Sequence, residues 1–163
     1  MLIQQRLHYS YNDFNRSWAE YKVGFNDSRG NYWFGNDLLS QVTMAGRYKL
    51  KFDLQPRGNL NSWYYAEYST FVVEPESTNY RLQVSGYKGN AGGDSLSYAN
   101  GQMFTTFDRD NDPKASYCAV EHGGGFWFKG CCYCCVNSNV HFNWHGLPFG
   151  NALQSSRMWL QCK

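Results

Sequence analysis

Tyr48, Leu50, Phe52 and Leu54 alternate with Lys49, Lys51 and Asp53. A period of two turns one face of a strand to a core and the other to water. Pro56-Arg57-Gly58-Asn59 then reads as a turn. Trp63 to Val73 is a second strand run, rich in aromatic and β-branched residues, and Tyr80, Leu82 and Val84 alternate again. Three such runs with short polar connections predict an antiparallel sheet. Upstream, Phe14, Trp18 and Tyr21, with Val23 and Phe25 behind them, have the rough spacing of a short amphipathic helix, with Asn12 or Asp13 as its cap and Gly24 as its stop. Gly30 to Asp37 sets aromatics between glycines, as in a packed turn. Asn36 or Asp37 then caps a second short helix through Leu38, Leu39 and Val42. Beyond Gly86 the pattern fades. A glycine-rich loop, Gly89 to Leu96, opens a stretch with no convincing periodicity as far as Trp144, and a segment that long is functional or stapled. Met158 to Leu160 reads as a last short strand.

Composition narrows the class. At 163 residues the chain suits one domain with a sizeable core, and a net charge of +2 gives no basic field for nucleic acid. Aromatics at 18% together with 16 glycines fit a loop-rich extracellular domain better than a helical bundle. The apolar runs are far too short for a membrane span. Met1 to Arg6 lacks the apolar region of a signal peptide, so a removed leader or an internal fragment is expected. Asn15-Arg16-Ser17 and Asn26-Asp27-Ser28 are glycosylation sequons if the chain is secreted. The six cysteines, Cys118, Cys131, Cys132, Cys134, Cys135 and Cys162, all lie in the last third. Their even number suggests a disulfide framework in an oxidising compartment, and the earlier part must hold by packing alone.

Candidate chemistry concentrates in the irregular stretch. Asp108, Asp110 and Asp112 stand at alternate positions. They repel one another unless a cation sits among them, and calcium, which takes carboxylate and carbonyl oxygens, suits them; a solvated acidic turn is the alternative. The Cys131–Cys135 cluster offers CxxC spacing twice, at Cys131/Cys134 and Cys132/Cys135, but no second CxxC completes a zinc site. Extra disulfides, or thiols available to another chain, fit it better. Gly93-Asp94-Ser95-Leu96 spells a hydrolase nucleophile motif, yet the Asp-x-x-His that would supply a base occurs nowhere. His122-Gly123-Gly124-Gly125 has no Gly-x-Ser-x-Gly elbow to serve and reads as a tight turn that brings Trp127 towards the acidic run. His141 and His145 are four apart, but Gly146 and Pro148 argue against the helix that would let them share a metal.

The order of these motifs carries a resemblance. Trp18-Ala19-Glu20-Tyr21 with Gly24-Phe25, Tyr32-Trp33-Phe34-Gly35-Asn36 with Thr43, Ala66 to Val73, Tyr80 to Gly86, Gly89-Asn90-Ala91-Gly92, Asp94-Ser95-Leu96 and Phe104-Thr105-Thr106 follow one another. The acidic run, Cys118-Ala119-Val120, the glycine-aromatic cluster to Phe128 and Cys131 come next. This succession resembles the fibrinogen-like domain family across most of the chain. The resemblance implies an α+β globule, with a twisted antiparallel sheet, short helices and a loop-rich calcium and ligand region. Residues 1–163 would form one such domain, without the family's N-terminal subdomain and with a shortened C-terminal region.

The resemblance also implies site residues. Counting back from Cys118, Asp110 and Asp112 would supply carboxylates and Lys114 and Ser116 carbonyls to one Ca2+, at the weak affinity of extracellular modules, roughly 10⁻⁴ to 10⁻³ M. Cys118 would pair with Cys131. In lectin members, similar to ficolins and tachylectins, a cis peptide before the second cysteine presents N–H groups to an acetyl oxygen. The matching positions are Gly130, Cys131 and Cys132, with His122 on the opposing wall and Phe142 or Trp144 closing the pocket. The expectation is a non-enzymatic secreted lectin of innate immunity that binds acetylated carbohydrate or glycoprotein, as a possible homo-oligomer. The alternative is an adhesive matrix module whose cysteine cluster links it to a partner chain.

Overall fold

The computed structural model describes residues 1–8 and 13–163. A seven-stranded antiparallel sheet organises it: β1 (Leu2–Arg6), β2 (Phe25–Asn26), β3 (Tyr32–Trp33), β4 (Tyr48–Pro56), β5 (Tyr64–Val73), β6 (Leu82–Gly89) and β11 (Leu153–Cys162). They lie in the order β2-β3-β1-β11-β4-β5-β6. Along β4, Leu50, Phe52 and Leu54 are buried while Lys49, Lys51 and Asp53 stay partly wet, so the period-two pattern sets the faces of the sheet. The wet face carries ion pairs, Lys49 Nζ to Glu67 at 3.3 Å and Lys51 Nζ to Asp53 at 2.8 Å. Partly exposed pairs like these contribute little to stability.

The short strand expected at Met158–Leu160 is ten residues long and central, paired with β1 on one side and β4 on the other. Pairing on both edges lets it carry Ser155 and Ser156, which are buried. The first strand, β1, shows no apolar alternation because Gln4 and Arg6 are buried although both are polar.

Two helices close the buried face. The first, α1 (Trp18–Val23), begins later than the apolar spacing suggests. Ser17 caps it: its hydroxyl accepts from Glu20 N–H, and Glu20 reaches back to Ser17 N–H at 2.9 Å. That reciprocal pair is a capping box. Asp13 instead accepts from Asn31 at 2.9 Å, and Asn12 lies outside the described residues. The second helix, α2 (Asn36–Thr43), is capped by the backbone of Gly35. Asn36 accepts from the Trp33 indole at 3.1 Å and Asp37 from the Tyr80 hydroxyl at 2.5 Å, so neither serves as the cap. Thr43 ties α2 to the sheet: its hydroxyl donates to Leu39 O at 2.7 Å and accepts from Val73 N–H at 2.9 Å.

Tyr21, Trp33, Phe104 and Trp127 form a continuous aromatic core with centroid separations of 5.1 to 6.3 Å. The remaining elements, β7 (Phe104–Thr105), β8 (Phe126–Trp127), β9 (Cys134–Cys135), β10 (Asn143–Trp144) and α3 (Cys118–His122), are short. They pin a loop-rich end to this core. Among the described residues no helix is long and apolar enough to cross a membrane.

Candidate functional site in the loop-rich end

The three aspartates of the acidic run have three different surroundings. Asp108 accepts from the N–H of Trp18, the first residue of α1, at 2.9 Å and from the Thr106 hydroxyl at 2.7 Å. Asp112 accepts from Lys114 N–H at 2.9 Å and from the N–H of Cys118, which starts α3, at 3.1 Å. Both carboxylates thus satisfy donors that a helix leaves open at its first turn. Asp110, exposed like Asp108, accepts from Asp112 N–H at 3.2 Å. Burial holds the Asp112 carboxyl above its ordinary pKa, and the Asp110 charge beside it pushes the same way, against the two backbone N–H groups.

This donor set suits a hard cation. The carbonyls of Lys114 and Ser116 accept no hydrogen bond among the described residues. With the two crowded carboxylates they offer the oxygen-only chemistry calcium takes, and a cation there would reverse the repulsion felt at Asp112. The Lys114 side chain faces elsewhere, to Glu121 Oε2 at 3.2 Å and Cys131 Sγ at 3.3 Å.

Cys118 and Cys131 are joined by a disulfide across 5.1 Å between Cα atoms. Closing a loop of this size contributes on the order of 3 kcal/mol. Cys132 and Cys135 form a second bridge, and Cys134 (buried) and Cys162 (exposed) are free thiols. Cys134 is enclosed and its thiol is pushed far above its ordinary pKa by burial, which leaves it inert.

The residues assigned to an acetyl pocket come together in part. His122 ends α3 and its Nδ1 lies 3.9 Å from Cys132 Sγ and 3.3 Å from Ser138 Oγ. Cys131 is adjacent, at φ +59°. Two features of the expected pocket are corrected. No peptide bond among the described residues is cis, the one before Cys131 included. Trp144 is fully buried: it packs 5.1 Å from Phe52 and its indole donates to Gly93 O at 3.3 Å, so it belongs to the core and closes no surface pocket. Phe142 is buried as well, with the Arg6 guanidinium 4.4 Å from its ring centroid. Gly130 lies against the Tyr98 hydroxyl.

Sequence reasoning missed what supports this end. Arg6, fully buried, donates to Ser138 O at 2.6 Å and Asn139 Oδ1 at 3.2 Å. Gln4 donates to Asn137 Oδ1 and Ser156 Oγ, both at 3.1 Å. Ser138 in turn donates to His122 O at 2.9 Å, so β1 positions His122 through this polar layer. The signal available in the sequence was Gln4 and Arg6 alternating in step with buried positions of a strand, too short a run to read. Gly124 and Gly125 must be glycine because a Cβ would meet the Asn137 carbonyl and the Tyr21 ring respectively. That explains the glycine run after His122 without any oxyanion chemistry. Ser95 donates to His145 O at 2.9 Å and Asp94 accepts from the Tyr68 hydroxyl at 2.8 Å, so the hydrolase-like motif is structural.

Comparison with known proteins settles the class. Residues 1–156 match the family described as "Fibrinogen beta and gamma chains, C-terminal globular domain", and the chain belongs to it. It is 44% identical to chicken (Gallus gallus) tenascin over 119 residues, 73% of this chain and 6% of that protein. It is 38% identical to mouse (Mus musculus) angiopoietin-related protein 6 over 161 residues, 98% of this chain and 34% of that protein. The chain therefore spans about a third or less of the curated relatives it matches here. Among solved structures, the fibrinogen-like globe domain of human ANGPTL2 superposes with a TM-score of 0.88 at 33% identity, over 99% of this chain and 79% of that one. A lamprey fibrin D-dimer complexed with the peptide ligand Gly-His-Arg-Pro-amide gives 0.83 at 29% identity, over 98% of this chain and 60% of that one. Tenascins and angiopoietin-related proteins are secreted, and this is an extracellular domain.

Proposed function

We propose that the domain is a non-catalytic matrix or signalling module that binds a protein partner through its loop-rich end. The observation that carries this reading is its identity to the tenascins and angiopoietin-related proteins, 44% over 119 residues in the case of chicken tenascin. The lamprey fibrin D-dimer, to which the chain is similar in structure, is itself complexed with a peptide ligand. In this reading one calcium ion, held by Asp110, Asp112 and the carbonyls of Lys114 and Ser116, stiffens the segment leading into α3. Its chemistry is charge neutralisation between two carboxylates.

The lectin reading is weaker. The site at His122, Cys131 and Cys132 lacks the aromatic wall assigned to Trp144, and the relatives named above give no support to acetylated carbohydrate or innate immunity. Cross-linking through the cysteine cluster is also revised: Cys131, Cys132 and Cys135 are in intrachain bridges and Cys134 is buried, so Cys162 is the exposed thiol. The experiment is retention of the purified domain on decellularised matrix, challenged by free N-acetylglucosamine or by prior protease treatment. Loss after protease alone supports a protein partner; elution by the sugar reinstates the lectin.

A further inference from the structure

The Cys132–Cys135 bridge faces a third metal-ligating atom. His122 Nδ1, Cys132 Sγ and Cys135 Sγ all lie within 4.8 Å of one another. The His122–Cys132 pair is 3.9 Å apart. A tetrahedral zinc, with bonds of about 2.3 Å to sulfur and about 2.0 Å to nitrogen, sets such donors about 3.5 Å apart. The histidine is already where a ligand should be. The two sulfurs are bonded to each other and must separate first, and the 5.6 Å between their Cα atoms allows that by side-chain rotation.

The surroundings fix the position of His122. Its carbonyl accepts from Asn139 N–H at 2.9 Å, Val140 N–H at 3.2 Å and Ser138 Oγ at 2.9 Å, which clamps its backbone. Its ring stacks on Phe128 with centroids 5.9 Å apart. The polar contact of the ring is Ser138 Oγ, 3.3 Å from the same Nδ1, and metal binding would replace it. On the open side lies His141, exposed, with its ring 5.4 Å from that of His122. The donor cluster itself is His122, Cys132 and Cys135, and water can complete four-coordination.

We propose that Cys132, Cys135 and His122 form a redox-gated soft-metal site: closed as a disulfide when oxidised, and a zinc site when reduced. The reductant is a dithiol. Its two thiols become a cyclic disulfide, the Cys132–Cys135 bond breaks, and two electrons and two protons pass to the cysteine pair. Zn2+ then binds the two sulfurs and releases those two protons to solvent. The third donor comes from α3, ten residues upstream of Cys132, and is placed by the fold.

The test uses the whole domain, reduced with dithiothreitol under argon, freed of reductant and titrated with Co2+ as the spectroscopic probe. One equivalent should develop tetrahedral d–d bands and thiolate-to-cobalt charge-transfer bands, bleached by Zn2+, while unreduced protein shows neither. H122Q should weaken binding about tenfold or more. C132S or C135S should abolish the two-thiolate spectrum. The measurement on unmutated protein stands even if a variant fails to fold: absence of charge-transfer bands after reduction would overturn the site. So would bands that survive in C132S and C135S but vanish in C131S, which would place the metal at the other pair. Unchanged affinity in H122Q would remove the histidine from the site and with it the proposal.

Discussion

Replacing Arg6 by alanine tests how the sheet holds the loop-rich end. The guanidinium is fully buried and donates to Ser138 O and Asn139 Oδ1, with the Phe142 and Phe14 rings 4.4 and 5.4 Å from its centre. Hydrogen bonds from a charged group contribute about 1.5–3 kcal/mol each. Relief of a buried charge offsets part of their loss, while the Ser138 carbonyl and the Asn139 amide, themselves buried, are left without this donor. We expect R6A to lose about 3–5 kcal/mol, the usual range for breaking a buried charged network. R6M, which keeps the apolar stem against Phe142, should lose less. Urea denaturation with the disulfides intact measures both, provided the slope with denaturant is unchanged. Hydrogen exchange adds a local readout: the amides of Asn139, Val140 and His141, which bond to His122 O and Ser138 Oγ, should open faster in R6A. A loss under about 1 kcal/mol with unchanged exchange would refute the claim that β1 positions His122.

Three further outcomes are expected. Millimolar calcium should raise the melting temperature of the parent protein and not of D110A, read by calorimetry with and without chelator; no shift in the parent would leave the run as a solvated acidic turn. His122 is held below its ordinary pKa, first by burial and then by the charge of His141. The unfolded chain therefore takes up the proton first, so stability present above about pH 6.5 declines as pH falls through the lowered native value, and H122Q should flatten that slope relative to the parent in acid titration. Y21F deletes a hydroxyl that donates to Phe14 O at 2.7 Å and accepts from Gly125 N–H at 3.0 Å, and should cost about 1–3 kcal/mol by the same denaturation assay.

The sheet was legible where alternation is strict. β4 and β5 show a wet and a dry face in their residues, and the family succession supplied what periodicity did not. The termini were legible only in part: Met158–Leu160 reads as a strand, but β1 and the start of β11 are hidden because their buried positions include Gln4, Arg6, Ser155 and Ser156. Those polar residues are compatible with burial through partners more than a hundred residues away in sequence, such as Gln4 with Asn137. Helix caps failed for a similar reason. Asn36, Asp37 and Asp13 are capping types, but Trp33, Tyr80 and Asn31 engage them. In the site, alternation of the aspartates gave the two crowded carboxylates, whereas the helix-capping bonds of Asp108 and Asp112 depend on where α1 and α3 lie. The burial of Trp144 was hidden because an aromatic in an irregular segment reads equally well as a core or a pocket residue.

The most direct test of the central claim is retention on decellularised matrix in calcium-containing buffer. A matrix or signalling module should bind, lose binding when the matrix is pretreated with protease, and be unmoved by free N-acetylglucosamine. Binding that survives protease and is released by the acetylated sugar would contradict the account and return the domain to the lectins.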